Sequence, residues 1–98
     1  MKEYILEKSN RKGKRFVIIM PDEGHKHFFG SDVGKTYIDG RTDKEKSAWE
    51  ARHSTNKNYN NRHSPVYWSK NLLWNKKTLA ESVRDMENKL NVKIHNKT

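Results

Sequence analysis

Phe16-Val17-Ile18-Ile19-Met20 is the longest unbroken apolar run in the chain. Alternation along a strand puts Phe16, Ile18 and Met20 on one side and Val17 and Ile19 on the other. A strand apolar on both sides belongs in the middle of a sheet, and each of its faces asks for cover. Turn chemistry brackets the run. Ser9-Asn10-Arg11-Lys12-Gly13 precedes it, with Gly13 placed for a positive φ in a hairpin loop. Pro21-Asp22-Glu23-Gly24 follows, where Pro presets φ at the second turn position and Gly closes the turn. Tyr4-Ile5-Leu6 and His25 to Phe29 then supply flanking strands, so the first third reads as a β-meander. Gly30 to Gly40 reads as a loop with three glycines, in which Thr36-Tyr37-Ile38 pairs briefly.

Helices are marked by their caps. Thr42-Asp43-Lys44-Glu45 fits a capping box, with Thr42 as N-cap and Glu45 three positions into the helix. That helix runs to about His53. Its apolar face is essentially Ala48 and Trp49, so it lies on the surface with Trp49 as its anchor. Ser54 to Asn61 is a polar, Asn-rich loop. Ser64-Pro65 starts a second helix with Pro in its first turn, on which Trp68, Leu72 and Leu73 share a face. Thr78-Leu79-Ala80-Glu81 is a second capping box. Leu79, Val83, Met86 and Leu90 follow at spacings of four, three and four, the clearest amphipathic helix in the chain. Asn91 can end it in the left-handed region, and Val92 and Ile94, alternating with Lys93 and His95, form a last short strand at a sheet edge. The expected fold is α+β: a three- to four-stranded antiparallel sheet with helices near 42–53, 65–74 and 78–90 packed on one face. Ninety-eight residues make a single domain, 1–98, because a second core would have too little chain to bury. At 32% hydrophobic residues that one core is small and leans on its aromatics.

Charge is the functional signal. The formal net charge is +9, and residues 41–77 hold nine Lys/Arg against three Asp/Glu, whereas residues 1–40 hold eight against six. From Ala51 to Ala80 there is no acidic residue at all. Arg52, Lys57, Arg62, Lys70, Lys76 and Lys77 lie in that stretch, interleaved with His53, His63, Tyr59, Tyr67, Trp68 and Trp74. Cations among flat rings suit a phosphate backbone with unstacked bases. The six cations are the candidate phosphate contacts, and Tyr59 and Tyr67 the candidate stacking groups. Trp49, Trp68 and Trp74 read as core, each indole N–H seeking a carbonyl. An acidic protein surface is the second kind of partner such a field fits.

Other chemistries have less behind them. Gly30-Ser31-Asp32-Val33-Gly34-Lys35-Thr36 has three residues between its glycines where a P-loop has four, and it does not lead into a helix. No cofactor motif is present. His25 and His27 share a strand face and, with His53 or His63, are the nearest approach to a metal set. A metal-dependent nuclease would draw on His53 or His63 with Asp39 or Asp43, but no carboxylate pair with suitable spacing supports it. There is no cysteine, no apolar leader after Met1 and no run of membrane-spanning length. These point to a reducing compartment and away from a membrane.

Trp68-Ser69-Lys70-Asn71-Leu72-Leu73-Trp74-Asn75-Lys76-Lys77-Thr78-Leu79 resembles the W-S-R-x-L-L-W-N-K-P-T-L signature of a family of small proteins encoded by large DNA viruses and tailed phages. His27-Phe28-Phe29-Gly30 and Ala51-Arg52-His53 are similar to that family's H-F-G and A-R-H segments, in the same order. Lys77 stands where the family has Pro. The resemblance implies a viral or phage origin, a place in the host cytoplasm or a virion, and partners that include a homo-oligomer or viral assembly. Small basic proteins of that origin coat nucleic acid, form part of a capsid, or block a host defence complex, as anti-CRISPR proteins do. The expectation from sequence is therefore a non-enzymatic, nucleic-acid-binding and virion-associated protein. The alternatives are a protein-interaction module and, third, a small nuclease.

Overall fold

The computed structural model describes residues 1–98 as a four-stranded sheet with a helical layer on one face. The strands are β1 (Lys2–Lys8), β2 (Lys14–Met20), β3 (His25–Ser31) and β4 (Val92–Asn96), in the spatial order β3-β2-β1-β4. The helices are α1 (Asp43–His53), α2 (Pro65–Trp68) and α3 (Leu79–Leu90). The meander pairs antiparallel as its turns require, with Ile5 opposite Ile19 and Ile18 opposite His27. The last strand departs from the all-antiparallel expectation: β4 runs parallel to β1, with Lys2 opposite Val92 and Leu6 opposite Asn96. The reason lies in α3, which packs across the sheet and returns the chain to the end where β1 starts. Asn91, at φ 53, makes that reversal, and the outer edge of β4 is blunted where the Ile94 N–H donates to Glu87 at 2.8 Å.

The helical layer covers the face that carries Tyr4, Leu6, Phe16, Ile18, Met20, Phe29, Val92 and Ile94. Trp68 is at its centre and is fully buried; its indole N–H donates to the Arg62 carbonyl at 2.8 Å, and the rings of Tyr4 and Tyr67 meet it edge-on. Leu72, Leu73, Val83 and Met86 complete the core from above. The other face, which carries Ile5, Val17, Ile19 and Phe28, has no element over it, contrary to the cover expected for β2. Long side chains take that role: the Arg11 guanidinium lies 4.0 Å from the centre of the Phe28 ring and Lys26 Nζ 5.7 Å from it, while Val17, opposite Phe28, is buried.

Two local elements differ from the sequence reading. The helix expected over 65–74 is regular only to Trp68 and then widens into a π-turn, Ser69–Leu73, closed by Trp74 N–H to the Ser69 carbonyl at 3.2 Å. Asn71, Leu72, Leu73 and Trp74 are all buried along this wider turn, and the Asn71 amide donates to the Tyr67 carbonyl at 2.9 Å. Thr36-Tyr37-Ile38 does not pair as a strand. Tyr37–Asp39 is a 3₁₀ turn, because Asp39 accepts from both the Thr36 N–H and its hydroxyl and so caps a turn instead.

The caps hold. Thr42 accepts from Glu45 N–H and Glu45 accepts from Thr42 N–H, a complete capping box. Thr78 accepts from Glu81 N–H, while the Glu81 carboxylate takes the Thr78 hydroxyl and leaves the backbone half of the box unmade. No helix is long and apolar enough to cross a membrane.

Candidate nucleic-acid interface

Of the eight residues singled out between Arg52 and Lys77, four are built into the structure. Arg62 reaches Glu23 Oε1 with Nη2 at 2.9 Å and Nε at 3.2 Å. Lys70 donates to Asn60 Oδ1 at 2.8 Å and lies over the rings of Tyr59 and Tyr67, 4.1 and 5.5 Å from their centres. Burial, then the nearby Lys89, push the Lys70 pKa down. Tyr59 and Tyr67 are half-buried against the core, and burial raises the pKa of both phenols. They are covered by Lys70 and do not form an open stacking surface. The remaining four cations are exposed but fall into two pairs. Arg52 and Lys57 lie at the end of α1. Lys76 and Lys77 follow the π-turn, and Lys77 stands beside Arg41 and Thr42 at the start of the same helix. Eleven residues make α1 about 16 Å long, so the pairs are separated by roughly that distance.

The fold assembles a second basic surface. Lys8, Lys14 and Lys35 meet where the β1–β2 hairpin abuts the loop after β3, with Lys12 in the hairpin loop and Arg11 beside it laid over Phe28, and none of the five has a carboxylate within ion-pair reach. Of the six acids of residues 1–40, Glu7 precedes Lys8 in β1, opposite Val17, and the other five are elsewhere or already used. Glu3, Asp22 and Glu23 lie at the opposite end of the sheet. Asp39 accepts a two-pronged pair from Arg15, with Nη1 at 2.5 Å and Nη2 at 2.8 Å, which holds its pKa down at about 2. Asp32 accepts from the Gly13 N–H at 3.2 Å and ties the loop to the hairpin. A signal for this cluster stands in the sequence: five cations and no acid between Lys8 and Arg15. Averaging charge over residues 1–40 hides it, because Glu3, Asp22 and Glu23 are counted with it although they lie at the far end of the sheet.

A cleft of about 380 Å³ opens beside this surface, between the Gly30–Thr36 loop and the helical layer. Gly30, at φ +76, allows the contact that forms its base: a Cβ there would fall 2.8 Å from Leu73 Cδ1 and 3.3 Å from Arg15 Cβ. Lys14 and Lys35 border the cleft and also a second hollow on the hairpin side, lined further by Lys8, Arg15, Asp32 and Asp39. No carboxylate lines the cleft. Its far wall is a series of parallel rings. His53 lies on Trp49 with centres 4.1 Å apart, and Trp49 on Trp74 at 5.4 Å, with the planes within 17° and 14° of parallel. Both indoles are largely buried, as expected of core residues, and His53 is the half-exposed end of the series. The loop is not a P-loop: it leads into the 3₁₀ turn at Tyr37, not into a helix N-terminus.

The other ionisable cluster lies at the opposite end of the sheet. Glu23 is almost buried and takes hydrogen bonds from the Tyr4 hydroxyl, from Arg62 and from His63 Nε2 at 2.7 Å, with Lys2 Nζ 3.7 Å away. Burial alone would raise its pKa, but the bonds from Tyr4, His63 and Arg62 outweigh it and hold the carboxyl at about 2. Burial and the same bond push Tyr4 up to about 12. His63 stacks on His25 with ring centres 3.8 Å apart, and His27 is next, 5.5 Å from His25. Rings stacked face to face do not converge on an ion, and no group of three His, Cys, Asp or Glu side chains is arranged to hold a metal. His53 and His63 are likewise apart from the carboxylates paired with them for a nuclease. Asp43 accepts from the Tyr37 hydroxyl at the start of α1 while His53 ends that helix, and His63 is joined to Glu23.

No protein-family model, curated protein or solved structure matches the chain.

Proposed function

We propose that the protein binds nucleic acid without catalysing a reaction on it, through a basic tract that runs from the hairpin tip over Lys14 and Lys35 to Arg52 and Lys57. The observation that carries this reading is the set of five cations at the hairpin end with no ion-pair partners, beside a cleft that no carboxylate lines. Cations left without partners are available to displace counterions from phosphates, which is the main source of affinity in sequence-independent binding. Contacts of this kind fix position and carry no sequence readout. The resemblance of the Trp68–Leu79 segment to viral and phage proteins supports an origin in such a genome, and with it a role in packaging or in the virion.

A salt series with mixed-sequence DNA and RNA tests the reading. Binding is expected at low salt, with an affinity that falls steeply as salt rises. A Lys12→Glu/Lys14→Glu/Lys35→Glu triple should abolish it. Failure of the unaltered protein to bind at low salt overturns the reading.

A second reading, a protein-interaction module such as a capsid component or an inhibitor of a host defence complex, draws on the uncovered sheet face. Ile5, Ile19 and Phe28 are only half-buried there. Finding the protein at fixed stoichiometry in purified particles, with no affinity for nucleic acid, would favour it.

A further inference from the structure

We propose that the cleft between the Gly30–Thr36 loop and α1 holds a single unstacked nucleobase, with the attached phosphate between Lys14 and Lys35, so that the protein takes single strands. The inference rests on the nucleic-acid reading above and assigns the part of the strand that enters the fold. Size comes first: about 380 Å³ lies at the small end of the roughly 300–1,000 Å³ of small-molecule sites, enough for one base and its sugar phosphate but not for a base pair.

The wall chemistry is that of a flat, electron-rich ligand. His53, Trp49 and Trp74 already form a parallel stack, and a base laid against its half-exposed end continues the series. The carbonyl of Trp49 only accepts, so the His53 nitrogen 2.8 Å from it, Nδ1, carries a proton. That bond fixes the ring plane against which the base lies. Val33 stands at the lip with 76% of its surface exposed, an apolar side chain beside the opening with nothing packed on it. A base inserted under it gives it a partner.

Charge sets the orientation. Lys14 and Lys35 border both the cleft and the hollow on the hairpin side, so a phosphate between them leaves the base on the aromatic side and the rest of the strand towards Lys8, in a hollow where Arg15 already pairs Asp39 and Asp32 is the one unpaired carboxylate. A base stacked and paired inside a duplex cannot enter, and paying for its extrusion disfavours duplex relative to single strand.

The full chain should be titrated with nucleoside 5′-monophosphates, and in parallel with ribose 5-phosphate and inorganic phosphate as controls that lack the base. Tryptophan emission and amide chemical shifts are the readouts. Saturable quenching and shifts at residues 33–36 and at His53 are expected with the mononucleotides, at least tenfold tighter than with either control. His53→Ala should weaken the mononucleotide at least fivefold and leave the phosphate controls unchanged. Lys35→Glu, a surface change that spares the fold, should weaken all of them. Mononucleotide shifts that avoid the cleft, or equal affinity for ribose 5-phosphate, overturn the inference. The outcomes separate it from the reading it rests on. Polymer binding with no mononucleotide in the cleft keeps the nucleic-acid reading and removes this site; mononucleotide binding without polymer binding does the reverse. Binding to neither removes both.

Discussion

His63 Nε2 lies 2.7 Å from Glu23 Oε1, a bond that joins residues 40 positions apart. A carboxylate only accepts, so the histidine donates, and the same oxygen also receives Arg62. The turn between β2 and β3, the first strand through Tyr4, and the segment leading into α2 are thereby fixed to one carboxyl group.

Acid should therefore unfold the protein in two stages. His27 is held below its ordinary 6.5 by burial and by His25 and His63, and its buried Nε2 has no hydrogen-bond partner. The unfolded chain takes up that proton first, so stability begins to fall as the pH drops below 6.5. Glu23 sits at about 2 against an ordinary 4.5, so the contribution it makes above 4.5 is lost between 4.5 and 2. Urea midpoints measured from pH 8 to pH 2 should show both limbs. Glu23→Gln should lower stability at pH 7 by about 2–4 kcal/mol and remove the lower one.

The alkaline side has its own limb. The Tyr4 hydroxyl ionises at about 12 in the fold against an ordinary 10, so stability present below pH 10 is lost as the pH rises towards 12. In Tyr4→Phe the slope over that range should flatten in a denaturation series.

Gly30→Ala should be among the most damaging single methyl additions. It places a Cβ at φ +76 and 2.8 Å from the buried Leu73, and destabilisation of about 2–4 kcal/mol is expected from strain and overpacking together. Thermal melts of this variant beside Gly13→Ala, where nothing lies within 4 Å, separate the two terms.

Asn91 ends α3 at φ 53 and turns the chain into β4. Asn91→Ala should lose about 1 kcal/mol, while Asn91→Gly should match or exceed the unaltered protein. Chemical denaturation midpoints of the pair decide it.

In nucleic-acid binding, Lys12, Lys14 and Lys35 should act on the salt slope and Arg62 should not. Each lysine removed is expected to reduce the slope of log affinity against log salt by about 0.7 for a single strand. Arg62→Gln should instead lower the melting temperature and leave the slope alone, since its guanidinium is tied to Glu23.

Local chemistry made much of this fold legible. Caps at Thr42 and Thr78, the Pro21–Gly24 turn, the α3 periodicity and the Asn91 reversal are short-range rules, and each stands where the residues place it. The α+β layout follows from them. What escaped depended on residues distant in the chain. The direction of β4 is decided by where α3 lands, and the π-turn at Ser69–Leu73 has no signal in the helix-start and periodicity rules. The basic surface at the hairpin is local from Lys8 to Lys14 and is completed only when folding brings Lys35 beside it, while Arg62 and Lys70, conspicuous in the sequence, are drawn inward by Glu23 and by Tyr59. No local pattern marks the cleft, because its walls come from the loop after β3, from α1 and from the Pro65–Trp74 segment, far apart in the sequence.

The parallel pairing of β4 with β1 has a mechanical consequence. When the chain is pulled from Lys2 and from Asn96, the two neighbouring strands slide along one another, and the rungs between Lys2–Val92 and Leu6–Asn96 bear the load together. Antiparallel neighbours pulled at the same end peel open one rung at a time. The lifetime of the fold under tension between those two residues is set by how slowly that one pair of strands shears.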